Sequence, residues 1–327
     1  MTYQAGSTIL AADFNNFLGT NGTSAYASSG AAQEKVGALY GVGYADRGYG
    51  QSAVSQAVVS ANTSITSTHW TNLRSMISTI ATHQGTSTTL LPPSGELASG
   101  QTIEAHESSA PTSDAYDING MIALIDTNRN TANVGSMTLT SNAHTVTRAS
   151  TWGSGGSETI DCTIDITWGS EDAARYFFNS GGEVRLVLSH SSTSGSQNQN
   201  WNTILSTGVG TITFSAHATA RSGSSGSGSA IGYYELTGSN QTIYNGINIG
   251  TGAYSANDVI VQAQRLSYTG TNGANGTGVR IVVSLVDQHS GTSDTVASGT
   301  ALNISHYRAT TYLTGISAPS YSTVDGF

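Results

Sequence analysis

The sequence predicts an α+β protein, a helical N-terminal region followed by a mainly antiparallel, β-sandwich-like domain with short inserted helices. Three observations predict it. Apolar residues recur at three- and four-residue steps in the N-terminal part, the step shortens to two after Asn130, and turn-forming residues abound throughout. Charged residues make up only 9% of the 327, against roughly 25% in an ordinary globular chain. The polar surface must therefore come from Ser, Thr, Asn, Gln and Gly, which suits short strands joined by many turns.

Taken in order, Ile9, Phe14, Phe17 and Leu18 mark a short helix that Gly19 would end. Val36, Leu39 and Tyr40 lead into GVGYADRGYGQ, a packed turn by its glycines and aromatics. The strongest helical signal runs from Thr68 to His83, where Trp70, Leu73, Met76, Ile77 and Ile80 form one stripe and Gly85 follows as a stop. Residues 86–113 contain Pro92, Pro93 and Pro111 and read as a linker or extended arm. The expected domains are thus 1–85, a helical anchoring region, then the linker, then 114–327, the β-rich domain.

A further helix over Asp117 to Asn128 opens that last domain, with Ile118, Met121, Ile122 and Ile125 on adjoining steps. Strand alternation begins at Thr159, where Ile160, Cys162, Ile164, Ile166 and Trp168 alternate with polar residues. The stretch Ser170 to Ser189, SEDAARYFFNSGGEVRLVLS, holds a complete helix, stop and strand. Ser170 caps, Glu171 and Asp172 favour the positive helix end, Gly181-Gly182 stops the helix, and Val184, Leu186 and Leu188 share one strand face. NWNTILSTGVGTITFSAH repeats that order, either by chance or as a paired element. Further strands are expected at Thr211 to Ala216, Ile231 to Leu236, Val259 to Leu266 and Val279 to Val286, the last two flanking a hairpin loop with Asn-Gly pairs.

Composition excludes several function classes. The formal charge is −9 and Lys35 is the only lysine, so a basic nucleic-acid groove is not expected. No apolar run is long enough to span a membrane, and MTYQAGSTIL lacks a leader's basic region and apolar core. A soluble protein, folded in the cytoplasm of its producer without membrane insertion, is the expectation. Cys162 stands alone, so no internal disulfide forms.

Candidate chemistry is sparse. Asp161 and Asp165 share a strand face, but four residues along a strand separate Cα atoms by roughly 13 Å, beyond glycosidase carboxylate spacings. His69 and His83 would lie about 21 Å apart on their helix and cannot share an ion. Glu104, His106 and Glu107 form a denser cluster that could take a cation or simply be solvated. His144, His190, His217, His289 and His306 are isolated in sequence, Cys162 points to the apolar strand face, and neither GVGYADRGYG nor RSGSSGSGSA has the context of a phosphate loop. The sequon at Asn240 is one a Ser/Thr-rich chain makes by chance. Tyr233, Tyr234, Tyr244 and Tyr254 lie near glycine-rich loops and would serve either saccharide or protein contact or core packing. No pattern calls for a cofactor.

AARYFFNSGGEVRL, with NWNTILS and GTITF after it and ILAADFNNF, GYGQ and THWTNLRSMISTIATHQG before it, resembles a recurrent family of tailed-bacteriophage virion structural proteins. The resemblance covers most of the chain in order; the region near Pro92 and the last thirty or so residues match only in composition. It implies a non-enzymatic virion component of the neck, tail or a fibre-like appendage, present in several copies and bound to other virion proteins. The alternatives are an adhesin for host-surface glycan or receptor and, behind it, a glycan hydrolase. Candidate assembly or core contacts are Trp70, Leu73, Ile77, Arg175, Tyr176, Phe177, Phe178, Glu183 and Arg185, with the three charged residues expected in internal pairs or subunit contacts.

Overall fold

The computed structural model describes residues 11–18, 36–41, 43–52, 59–60, 63–99, 116–154, 157–267, 276–291 and 295–327. The fold is α+β, with two antiparallel sheets and a few helices. The chain forms two compact units, one of residues 1–137 and 309–315, the other of 138–308 and 316–327. Ile9, Gly19, the Glu104–His106–Glu107 cluster, Pro111 and most of the Asn-Gly loop between the strands near 266 and 278 lie outside the described residues.

The first unit holds α1 (Ala11–Leu18), α2 (Val36–Tyr40), α3 (Ser67–Gln84) and α4 (Ile118–Thr127). The α3 stripe is buried as its spacing requires, and Phe14 and Phe17 of α1 meet Trp70 at ring distances of 5.3 and 5.8 Å. At the start of α3 the His69 ring turns back to accept the Thr66 N–H at 2.9 Å. At its end Gly85 takes φ 74, and its N–H closes on Thr82 O. Gln84, buried just before that stop, donates to Tyr49 Oη and Ile125 O at 2.9 and 2.8 Å, and Tyr49 donates on to Arg129 O at 2.6 Å. These bonds fix the GVGYADRGYGQ turn against α3 and α4.

Packing draws different boundaries from those expected. Leu91 and Leu97 are buried, Pro92 O accepts Arg74 Nε at 2.5 Å, and Leu90 O accepts Asp117 N at 2.8 Å. The described part of the supposed arm therefore packs on the helices. α4 also belongs to the first unit and not to the β-rich one.

The second unit contains β1 (Met137–Thr147, straddling the boundary), β2 (Glu158–Thr167), α5 (Glu171–Asn179), β3 (Glu183–His190), α6 (Ser196–Thr203), β4 (Thr211–Phe214), β5 (Thr219–Arg221), β6 (Gln241–Gly246), β7 (Asp258–Leu266), β8 (Gly278–Asp287), β9 (Thr300–Ala309) and β10 (Ser320–Asp325). Sheet one runs β1-β9-β3-β4-β5 and sheet two β10-β2-β8-β7-β6. Each presents one apolar face. Cys162 pairs with Val283 and Val283 with Val261; Leu186 stands between Ile212 and Ile304. The sheets meet at both sides. The 227–229 segment bridges Thr219 of β5 and Asn245 of β6, while His144 of β1 and His306 of β9 reach Thr323 and Tyr321 of β10.

One expected strand is a turn instead. Ile231 to Leu236 forms a 3₁₀ turn at Tyr233–Glu235, because Tyr233 and Tyr234 N–H groups donate to Ser215 O and Ala216 O. A side chain at Gly232 would meet His217 N at 2.4 Å, so only glycine lets the two backbones approach. The echo of the α5–β3 unit is real as structure: α6 runs on through a π-helical turn, Ile204–Val209, to Gly210 at φ 65, and β4 then pairs with β3. No helix among the described residues is long and apolar enough to cross a membrane.

Candidate functional site

The expected contact residues divide by unit. Trp70, Leu73 and Ile77 lie in the core of the first. In the second, α5 begins where Ser170 Oγ accepts Ala173 N at 3.1 Å and ends where Gly182 N closes on Phe177 O at 2.8 Å. Its amphipathic spacing sends Phe177 and Phe178 inward, crossed edge to face at 5.0 Å. Trp168 meets both rings, Phe214 of β4 meets Phe178 at 5.7 Å, and His306 of β9 meets Phe177 at 6.4 Å. Tyr233 stacks on Phe178 at 4.5 Å and is itself covered by the Arg265 guanidinium at 4.5 Å. Burial pushes the Tyr233 phenol up to about 12, which keeps it the neutral donor to Gly276 O.

The charges of this stretch pair within the chain. Arg175 is 3% exposed, bonds Asp172 at 3.0 Å and lies over the half-buried Tyr176 ring. Arg185 grips Glu183 Oε2 at 2.8 and 3.1 Å and lies over Tyr307 on the outer face of sheet one. The same holds for the suspected acid pair. Asp165 forms a two-pronged pair with Arg280 at 2.7 and 2.9 Å, and Asp161 accepts the Ser284 hydroxyl. Both decorate the outer face of sheet two and converge on nothing.

The histidines have separate local partners. His217 bonds Glu235 at 2.7 Å, His289 lies near Ala253 O at 3.2 Å, and His144 meets Thr323. Among the described residues no three His, Cys, Asp or Glu side chains are placed to hold a metal. Cys162 is buried, with burial raising its thiol to about 12, so it is a protonated core group. Tyr233 and Tyr244 are buried and Tyr234 donates to Asn179 Oδ1, so these three serve packing, whereas Tyr254, also largely buried, lines a cleft beside α6.

Sequence reasoning missed a polar network at one end of the second unit, joined from residues more than a hundred positions apart. Trp152 Nε1 donates to Thr300 Oγ1 at 3.2 Å, Thr300 meets His190 Nδ1 at 3.1 Å, and His190 Nε2 meets Asn198 Oδ1 at 2.8 Å. Asn198 Oδ1 also accepts Ala297 N, which fixes it as an acceptor. The network therefore places the imidazole proton on Nε2 and turns the Thr300 proton towards Nδ1. Hydroxyl, imidazole and amide stand in the order of a nucleophile, a base and its orienting group. Thr300 is 0% exposed, however, so no substrate reaches its oxygen in this conformation. Beside the network, Asp287 accepts from Gln197 Nε2 and His289 N, with burial raising its pKa. No spacing signal links these positions in sequence.

Next to this network is an open cleft of about 510 Å³ between α6 and the Thr251–Tyr254 turn. Ser196, Gln199, Asn200 and Thr203 form one wall, at helical spacing. Asn200 Nδ2 donates to Thr251 Oγ1 at 2.8 Å and holds the opposite wall in place. The lining carries no charge, which matches neutral, hydroxyl-bearing ligands better than ionic ones. No protein-family model matches the chain, and neither the curated proteins nor the solved structures include a match.

Proposed function

We propose that the chain is a structural component of a tailed-bacteriophage virion, in the neck, tail or a fibre-like appendage, acting through assembly contacts and not through catalysis. The observation that carries this reading is the use made of the ARYFFNSGGEVR stretch. Its aromatics lock a helix onto sheet one and onto Trp168 just past the end of β2, its glycines close the turn, and its charges pair within the chain. The most distinctive residues in the sequence thus build a framework. A chain with few charges, a single buried thiol and a large polar uncharged surface suits a protein folded in the host cytoplasm and then assembled into a particle. Copies of the chain and other virion proteins are its partners, with the helical first unit as the anchoring part.

The test is location. Immunogold labelling and quantitative mass spectrometry of purified particles of the phage that encodes this chain are expected to find it in fixed, multiple copies at the neck, tail or fibres. Its absence from washed particles, with abundant protein free in the lysate, would overturn the reading. The uncharged cleft favours a second reading, an adhesin for neutral host-surface glycan. Binding of the whole protein on a glycan array, lost on Asn200→Ala, would support that; silence across the array would remove it.

A further inference from the structure

Four strands end the two sheets, and three of them are protected. β5 has three residues, and Thr219 exchanges both backbone bonds with Ser229. β6 is covered the same way, by Ser227 on Asn245. β10 is short, follows Pro319, carries Asp325 and has an irregular register at Thr323/Asp325. Shortness, coverage, charge, proline and bulges are the means by which sheet proteins keep their edges from pairing.

β1 differs. It has 11 residues, most of them exposed, with β9 as its only neighbour in the sheet among the described residues and no Asp, Glu, Lys, Arg or Pro along it. Asn142 takes φ 48 within it and its N–H bonds Ser305 Oγ; the strand runs on to either side. Leu139 is 44% exposed on it.

We propose that β1 is the edge through which two copies of this chain pair, antiparallel about a two-fold axis, so that sheet one continues from one copy into the next. The inference rests on the reading of the chain as a self-assembling virion component. Charge decides the occupant. Copies with a net charge of −9 repel each other, and β1 is the long edge on which they approach without bringing like charges together. Its Thr, Ser and Asn side chains each offer donor and acceptor, so the strand is complementary to its own copy, as an isologous interface requires.

Sedimentation velocity of the full chain tests this with two variant pairs, L139E/T147E and L139K/T147K. The wild type is expected as an even multiple of the 33.6 kDa chain. Each double variant alone weakens association by roughly tenfold or more, because with the two-fold axis at Ala143 residue 139 of one copy lies opposite residue 147 of the other, and like charges then face each other across the pair. An equimolar mixture restores it, which misfolding would not. A monomeric wild type, variants that keep the wild-type mass, or folded monomeric variants that fail to recombine would each overturn the pairing. A monomeric wild type in a protein found in particles sinks the edge and leaves the virion reading standing. Dimers that depend on β1, in a protein absent from particles, do the reverse.

Discussion

His190 and His306 sit in the core of the β-rich unit, and burial lowers the pKa of each, with Arg308 adding to the effect at His306. Both are therefore neutral in the folded chain over a range where the unfolded chain has begun to bind protons. Stability is fully present above the ordinary histidine value near 6.5 and falls as pH drops from there towards the folded values. Each ring contributes at most about 1.4 kcal/mol per pH unit within that window. Asp287 has the other sign: its folded pKa is raised, so the cost of its burial is relieved as pH falls through that value. Urea midpoints followed from about pH 8 to about pH 5 should therefore decline in the wild type and decline less in His190→Gln/His306→Gln. An identical slope in the double variant would place the titrating groups elsewhere. The tautomer at His190 could not be read from sequence, because Trp152, Thr300 and Asn198 meet only once the strands are assembled.

At the scale of elements, the α5–turn–β3 unit tests how tightly helix and strand are joined. A methyl group at Gly182 would lie 2.3 Å from Phe177 O and 2.7 Å from its ring, both held by the aromatic cluster. Gly182→Ala should cost about 1–3 kcal/mol through overpacking, whereas Gly169→Ala, with nothing within 4 Å, should change little. Thermal or urea unfolding separates the two, and equal effects would mean that the turn yields. The Ser170 cap, the helix and the alternation of β3 were legible because each depends on neighbours in sequence. The α3 stripe, β2, β7 and β8 were legible for the same reason: their periods record one buried face. β1 and β10 escaped because edge strands exposed on both faces carry no such alternation. Residues 231–236 have apolar content fit for a strand, but the turn follows from the close approach of Gly232 to His217, a tertiary fact. The cleft beside α6 was equally hidden, since its second wall comes from a turn some fifty residues downstream.

At the scale of the whole molecule, the path of the chain is more informative than either unit alone. After β9 the segment 309–315 belongs to the first unit, although residues on both sides of it belong to the second. Thr310 N donates to Ser136 O, Thr311 Oγ1 to Gly135 O, and Gln51 Nε2 to Thr314 O, so the segment joins parts of the first unit that precede it by more than 170 residues. Leu313 is buried there. Leu313→Ala should therefore remove about 2–5 kcal/mol of core packing from the helical unit, not from the sheets nearest to it in sequence. Native-state hydrogen exchange reads this directly: amides of α3 and α4 should exchange faster in the variant, while those of β7 and β8 keep their protection. The opposite pattern would assign the segment to the β-rich unit. A cut at 113 or 137 would accordingly separate the helical unit from residues that complete its core. Anchoring and β-rich functions are therefore best separated by surface substitutions in the intact chain, where loss of particle incorporation reports a lost contact and not a lost fold.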